Sequence, residues 1–128
     1  GRNRPAPGRH HASKASRLSG MDTALLCFST CPDAASAERL AEALVGERLA
    51  ACVNLLPALR SVYRWQDAVE RADEVLLLIK TSRDRYPALE ARLRTLHPYE
   101  LPALVAVESA AGLPAYLQWV VASTRPVE

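Results

Sequence analysis

The amino-acid sequence predicts one α+β domain whose elements follow the order β-α-β-β-α-β and end in a third helix. Three observations predict this class. Short apolar runs bounded by polar residues and proline are typical of buried strands, other segments repeat apolar residues at helical spacing, and one long stretch has the pattern of a hairpin. A length of 128 residues fits one domain with one core.

The first strand and the first helix follow from the start of this domain. Residues 24–28 are nearly continuously apolar and are followed by polar residues and Pro32, as expected of a buried central strand. Asp33 or Ser36 can cap the next segment, in which apolar residues recur on one helical face. We expect this helix to cover about residues 34–49.

A long β-hairpin is predicted next. Residues 52–65 form its first strand, in which Pro57 marks a bulge or an edge. Gln66 and Asp67 can form the reversal, and residues 69–81 return as a strand that is polar at first and apolar later.

The hairpin is longer than the rest of the domain needs. Fourteen residues at about 3.3 Å each span roughly 45 Å, so part of this arm extends beyond the core. Exposed strand edges invite pairing with another chain, which predicts contacts between subunits. We expect the charged residues Glu70, Asp73 and Glu74 to form a solvated face of the arm.

The remaining elements complete the pattern. A helix that begins near Arg83 ends at His97, because a residue before proline disfavours helix. Residues 104–107 form the fourth strand, and the terminal helix follows Gly112. Two β-α-β units in this order predict the ferredoxin-like plait, a four-stranded antiparallel sheet with helices on one face.

Charge and composition exclude several classes. Residues 1–20 carry five basic residues and no acid, whereas the rest carries 11 basic and 14 acidic residues, so nucleic-acid binding is not expected. This stretch is expected to be a disordered tail, a cloning remnant or an over-long start, ahead of a domain over residues 21–128. No export signal and no apolar stretch of membrane length is present, which predicts a cytoplasmic protein without a membrane partner.

The sequence offers no catalytic centre. No serine stands in a glycine-flanked elbow, and glycine-rich phosphate loops are absent, so we expect neither an enzyme nor an organic cofactor. Three cysteines, Cys27, Cys31 and Cys52, form no CxxC pair and are expected to be reduced, with Cys27 buried in a strand.

One cluster could bind a divalent metal. His97, Tyr99 and Glu100 lie on a short turn stiffened by two prolines, and imidazole with carboxylate suits Cu(II) or Zn(II). Cys52 could add a thiolate if the fold or a neighbouring subunit brings it close. The residues themselves favour the structural alternative, in which Pro98 ends the helix, His97 caps its last carbonyls and Tyr99 packs.

A second surface could bind a small anion. Tyr63, Trp65, Lys80 and Trp119 combine an ammonium group with a phenol and two indoles. Aromatic residues on a hairpin also commonly form a subunit interface, and both interpretations stay open at this point.

Five blocks resemble the CutA divalent-cation-tolerance family in order and spacing. The similarity covers about residues 23–122, and the blocks read LAACVNLLP (49–57), SVYRW (61–65), EVLLLIKT (74–81), HPYELP (97–102) and YLQW (116–119). The resemblance implies a ferredoxin-like subunit in a tight homotrimer shaped like the PII signalling proteins, with a role in tolerance of copper and other divalent cations.

The resemblance also implies site residues. Cys52 falls on the cysteine of the AACVN block, and His97 and Glu100 fall on the HPYE block, whereas Cys27 and Cys31 match no family motif. The chain departs from the family in its hairpin glycines and at Ala103, where a glutamate is usual. The leading hypothesis is therefore a copper-binding metal-homeostasis trimer, and the alternative is a PII-like module that binds a small molecule or protein in inter-subunit clefts.

Overall fold

The computed structural model describes residues 23–127. They form β1 (Ala24–Cys31), α1 (Ala34–Gly46), β2 (Cys52–Trp65), β3 (Ala68–Ser82), α2 (Tyr86–Leu96), β4 (Val105–Glu108) and α3 (Pro114–Ser123), with a 3-10 turn at Arg83–Arg85. The β-α-β-β-α-β order with a terminal helix is confirmed. The predicted tail over residues 1–20 lies outside the described residues.

The four strands form one antiparallel sheet in the order β2-β3-β1-β4. β1 lies inside the sheet and pairs with β3 along its whole length, so that Cys27 faces Ile79. The shorter β4 pairs with the other side of β1 and leaves its outer edge unpaired within the described chain.

The core lies between one face of this sheet and helices α1 and α2. Side chains at alternate positions of β1 and β3 are fully buried there, among them Cys27, Leu77 and Ile79. Leu44 of α1 and Leu89 of α2 pack in the same cluster and are also fully buried. Burial of each such side chain contributes about 1.5–3 kcal/mol.

The other sheet face, called the open face here, is apolar but only partly covered. Alternation along the strands assigns to it residues that are half-buried or exposed: Leu26, Phe28, Leu56, Leu76, Leu78, Val105 and Val107. Val105 and Val107 of β4 are 60% and 46% exposed. At one end of the sheet α3 reaches the strands, where Thr124 Oγ1 lies 2.9 Å from Ser82 Oγ.

The first helix is shorter than the sequence predicted. It ends at Gly46 and not near Leu49, because Arg48 adopts a left-handed conformation with φ 61°. The Leu49 amide then donates to the Leu44 carbonyl at 2.9 Å and the Arg48 amide to the Val45 carbonyl at 3.0 Å. This is the Schellman ending of a helix, which usually has glycine at the position of Arg48.

The hairpin has the predicted bulge and the predicted reversal. The pairing register between β2 and β3 shifts between Leu56 and Leu59, where Ala58 has a positive φ of 64°. Gln66 and Asp67 also have positive φ, 50° and 66°, as both central residues of a two-residue type I′ turn require. Neither residue is glycine, so the turn is strained.

Candidate functional site

Residues 97–102 form the loop between α2 and β4, and the His97 ring fixes its start. His97 is 7% exposed. Its Nε2–H donates to the Thr30 carbonyl at 2.7 Å, and its Nδ1 accepts the Tyr99 amide at 3.0 Å. A ring nitrogen that accepts a hydrogen bond carries no proton, so Nδ1 is unprotonated and the ring is the neutral tautomer with its proton on Nε2. The ring therefore links α2 to the end of β1.

Tyr99 and Glu74 form a hydrogen-bonded pair beside this ring. The Tyr99 hydroxyl donates to Glu74 Oε2 at 2.7 Å, and the Ser61 hydroxyl donates to Glu74 Oε1 at 2.6 Å. Burial, and then the bond to the Glu74 carboxylate, raise the pKa of Tyr99. The phenol is accordingly a stable hydrogen-bond donor and a poor anionic metal ligand.

The expectation that Glu74 lies on a solvated face was wrong. Glu74 is 8% exposed, whereas Glu70 and Asp73 are exposed as expected. Because side chains alternate along β3, Glu74 lies on the open face and Val75 on the core face. Ser61 and Tyr99 contact Glu74 on the open face. The run of charged residues led to the prediction that Glu74 is solvated. Its position next to Val75, the first buried apolar residue of β3, could have indicated that it is buried.

A cleft of about 770 Å³ lies between the hairpin arm and the 97–102 loop. We call it the aromatic cleft. Its walls are formed by Thr30, Ser61, Val62, Tyr63, Arg64, Trp65, Glu74, Tyr99, Glu100, Leu101, Pro102 and Ala103. The structure therefore brings together Tyr63, Trp65, Tyr99 and Glu100 from the candidate residues.

Cys52 lies elsewhere, in a polar group on the open face. It pairs in register with Lys80 of β3, and the Lys80 ammonium lies 3.8 Å from Cys52 Sγ. The same ammonium donates to the side-chain oxygen of Asn54. Cys52 and Lys80 are half-buried, so small solutes can reach both.

Cys52 and His97 do not meet within one subunit. The end of β1 that His97 contacts pairs with Val75 of β3, and Cys52 pairs with Lys80, five residues further on. Five residues of strand span about 17 Å. Lys80 is thereby also separated from Tyr63 and Trp65, which pair near the opposite end of β3.

Trp119 is the remaining candidate from the sequence. It lies on α3, and its ring centroid is 5.6 Å from that of Tyr116 on the same helix. It does not line the aromatic cleft. The four-residue anion surface proposed from the sequence is therefore not assembled in one subunit.

The structure adds Cys31 to the surroundings of His97. Cys31 Sγ lies 3.7 Å from His97 Nε2, and the residue is fully buried. Burial raises the pKa of Cys31, and it raises the pKa of Cys27 to about 12. Sequence motifs did not indicate Cys31, although its even spacing from Leu25 and Cys27 places all three on one face of β1.

Within residues 23–127, no three His, Cys, Asp or Glu side chains cluster closely enough to hold a metal ion. A metal ion bound in this part of the chain would thus keep open coordination positions or take further donors from a second chain. No helix in the same region is long and apolar enough to cross a membrane.

Comparison with known proteins connects this fold to one family. The sequence profile of the CutA1 divalent ion tolerance protein family matches residues 25–123. The divalent-cation tolerance protein CutA of Thermus thermophilus is 48% identical over 91 residues, which are 71% of this chain and 88% of that protein. The chain spans only 56% of the length of the mouse protein CutA, to which it is 44% identical.

Solved structures agree with the sequence match. The crystal structure of CutA from Xylella fastidiosa has a TM-score of 0.79 at 48% identity and covers 80% of this chain and 99% of its own. A periplasmic divalent cation tolerance protein CutA from Archaeoglobus fulgidus has a TM-score of 0.77 at 28% identity over 80% of this chain and 99% of its own. The chain belongs to the CutA1 divalent ion tolerance protein family.

Proposed function

We propose that this protein acts in divalent cation tolerance as a homotrimer that binds Cu(II) or another divalent cation, without an enzymatic activity. Membership in the CutA1 family supports the role in cation tolerance. The single structural observation that carries metal binding is the half-exposed Cys52 thiol, since the other two cysteines of the chain are fully buried. A thiolate is a soft ligand that selects Cu(I) and zinc, and imidazole suits copper and zinc in general.

The trimer is supported by apolar surface that one subunit leaves uncovered. The open face, the arm residues Val62 and Val69, and Leu101 of the 97–102 loop form this surface. Val62 is 61% exposed and Leu101 is 70% exposed. Exposed apolar patches of this kind commonly mark protein interfaces. Pairing of unpaired strand edges between subunits would protect them from aggregation.

The proposed metal donors are Cys52, His97 and Glu100, and because Cys52 and His97 lie apart in one chain they could share a metal only across a subunit junction. Two of the three donors are reachable as they stand. Glu100 is exposed at the aromatic cleft, and Cys52 is half-buried. His97 can bind a metal only by releasing the Thr30 carbonyl or the Tyr99 amide. If it does so through Nε2, Cys31 is the nearest additional donor, at 3.7 Å.

A copper and zinc titration by calorimetry tests this proposal. The protein and its Cys52→Ser, His97→Ala and Glu100→Gln variants are compared, with Cys27→Ala as a control that removes a buried thiol. We expect saturable binding that is weakened in Cys52→Ser and unchanged in Cys27→Ala. Circular dichroism of each variant separates lost ligands from lost folding. Equal binding in Cys52→Ser and the unaltered protein, or no binding tighter than millimolar, would refute the proposed site.

A second candidate function is a PII-like module that binds a small molecule or a protein between subunits. The aromatic cleft favours it, because a concave site with aromatic walls and a few convergent polar groups is typical of ligand sites. A metabolite that raises the melting temperature while copper does not would favour this function, since a ligand of the native state stabilises it. Loss of that shift in Trp65→Ala would assign it to the cleft.

We also propose that the protein works in the cytoplasm and not in the periplasm. The odd number of cysteines, three, favours reduced thiols over a disulfide framework, as is usual in the cytoplasm. Cell fractionation with an antibody against the native protein tests this placement, and recovery in a periplasmic extract would contradict it.

A further inference from the structure

The contact between Cys52 and Lys80 has a chemical consequence besides metal binding. The two residues are direct cross-strand partners, and Nζ lies 3.8 Å from Sγ. Asn54 accepts a hydrogen bond from the same nitrogen and holds the lysine side chain toward the thiol. Both residues are half-buried in one subunit, so a solute as small as hydrogen peroxide can reach the sulfur there, and the proposal requires that the contacts of the proposed trimer leave this part of the open face uncovered.

We propose that Cys52 and Lys80 form a peroxide-sensitive covalent switch, a reversible sulfenamide bond between Sγ and Nζ. In the first step hydrogen peroxide oxidises the Cys52 thiol to a sulfenic acid and is itself reduced to water. In the second step the Lys80 ammonium first loses a proton to solvent, and the lone pair of the resulting amine attacks the electrophilic sulfur. The S–N bond forms, the S–O bond breaks, and the leaving hydroxide takes up the proton that the nitrogen releases, which gives a second water.

The surroundings favour capture by the lysine over other fates of the sulfenic acid. Sulfenic acids condense with a neighbouring thiol or nitrogen when one is within reach, and otherwise oxidise further. The other thiols, Cys27 and Cys31, lie on the helix-covered face of the sheet, whereas Cys52 and Lys80 lie on the open face. Lys80 Nζ is therefore the nucleophile placed next to the sulfur.

The bond would also change what the site can do. A sulfenamide has neither a thiolate for a metal nor a charged ammonium group, so oxidation would remove the proposed Cys52 donor. A thiol reductant reopens the bond and restores both groups. The switch would make any copper binding at Cys52 dependent on the redox state, although its formation does not require that binding.

Intact-mass spectrometry of the full chain after brief treatment with hydrogen peroxide tests the proposal. We expect a product about 2 Da lighter that reverts with dithiothreitol, and tryptic digestion that no longer cleaves after Lys80. The matched control is Lys80→Arg, which keeps the charge but lacks a nucleophilic amine. In this variant Cys52 is expected to gain about 32 Da as an irreversible sulfinic acid instead.

Other results would overturn the proposal. A reversible product that is about 2 Da lighter in Lys80→Arg as well would assign the change to a disulfide, which peptide mapping would identify. A gain of about 16 or 32 Da at Cys52 in the unaltered protein, with normal cleavage after Lys80, would show that the lysine does not capture the sulfur. Cys52→Ser is expected to show no change at either residue, and a lighter product in it would also contradict the bond.

Discussion

At the scale of single residues, His97 has a structural task that precedes any metal chemistry. Its two ring nitrogens bond two backbone groups from different elements, the Thr30 carbonyl at the end of β1 and the Tyr99 amide in the loop. A buried backbone group left without a partner costs about 1–3 kcal/mol. The same imidazole that suits a divalent ion is therefore needed to hold the loop in place.

Replacing His97 with alanine is expected to lower the free energy of unfolding by about 2–4 kcal/mol, because two partly buried backbone groups lose their partner. Urea denaturation at fixed protein concentration measures this change. Glu100→Ala is the control, since an exposed side chain should change stability by no more than about 0.5 kcal/mol. An unchanged urea midpoint in His97→Ala would show that the ring bonds contribute nothing.

The three thiols are expected to differ sharply in reactivity. Burial raises the pKa of Cys27 to about 12 and also raises that of Cys31, so neither presents a thiolate near neutral pH. In the native protein iodoacetamide should modify Cys52 at least about tenfold faster than the other two. Peptide mapping after timed alkylation checks this order, and denatured protein should lose it. Comparable labelling of Cys31 in native protein would mean that the region around His97 opens readily.

At the scale of elements, a network of charged hydrogen bonds connects the end of α3 to the end of β3 and the 3-10 turn that follows it. Arg125 Nη1 and Nη2 donate to the two Asp84 carboxylate oxygens at 2.8 and 2.6 Å, and Ser82 Oγ donates to the same carboxylate at 2.8 Å. From the other side, Arg48 Nε donates to the Arg125 carbonyl at 2.7 Å. The strained left-handed Arg48 that ends α1 thus also caps the chain that follows α3.

The stability of this junction should depend on acid pH. The hydrogen bonds from Arg125 lower the pKa of Asp84 below its ordinary value of 3.8. A group with a lowered pKa in the folded state stabilises it above the ordinary pKa, and this stabilisation is lost as pH falls through the folded value. Asp84→Asn should therefore melt below the unaltered protein at neutral pH, and the difference should shrink as the pH falls below the ordinary value of 3.8 and through the lowered pKa of Asp84.

Melting curves recorded across this pH range check the expectation. Asp33 also has a lowered pKa, through its bonds to Ser36, so some acid sensitivity should survive in Asp84→Asn. A difference between the two proteins that does not vary with pH would show that the network acts through packing and not through the carboxylate charge.

The hairpin turn offers a stabilising change. Gln66 and Asp67 both have positive φ, which Asn-Gly adopts with less strain in a type I′ turn. The double variant Gln66→Asn, Asp67→Gly should gain about 1 kcal/mol and melt a few degrees higher. Asp67→Ala is the matched control, because alanine does not relieve a positive φ and should melt lower. Thermal melts at equal protein concentration measure this difference. An unchanged melting temperature in the double variant would show that the strain in the turn is negligible.

At the scale of the whole molecule, the sequence predicted the architecture well because periodicity reports directly on strands and helices. The order of elements, the bulge near Pro57 and the turn at Gln66 all follow from local patterns. The grouping of site residues did not follow. The strand residues that pair across the sheet are set by the register, and local sequence patterns do not reveal the register. The register separates Cys52 and Lys80 from His97 and Trp65.

The same limit applies to Glu74 and Cys31. A carboxylate in a charged run is usually solvated. Glu74 is buried instead by its contacts with Tyr99 of the loop and Ser61 of β2, which are distant in sequence. Cys31 meets His97 across 66 positions of chain, a separation that no local pattern spans. The family resemblance indicated the important blocks but not how they divide between two places on the sheet.

The oligomeric state can be tested by a charge placed on the open face. Light scattering should give about three times the 14.0 kDa of one chain. Val105 of β4 is 60% exposed in one subunit, so Val105→Glu should leave the subunit fold intact. In a trimer it would bury an unpaired carboxylate, which costs several kcal/mol and should reduce the mass to that of one subunit at micromolar concentration.

Val45→Glu is the matched control, because Val45 is 41% exposed on α1, which covers the other face of the sheet. This variant should keep the trimer mass. The melting temperature of the unaltered protein should rise with concentration, since folding coupled to association depends on mass action. If Val105→Glu keeps the full mass while Val45→Glu loses it, the subunits associate through their helices and the open face serves another purpose. A single-subunit mass in all three proteins would instead exclude the trimer.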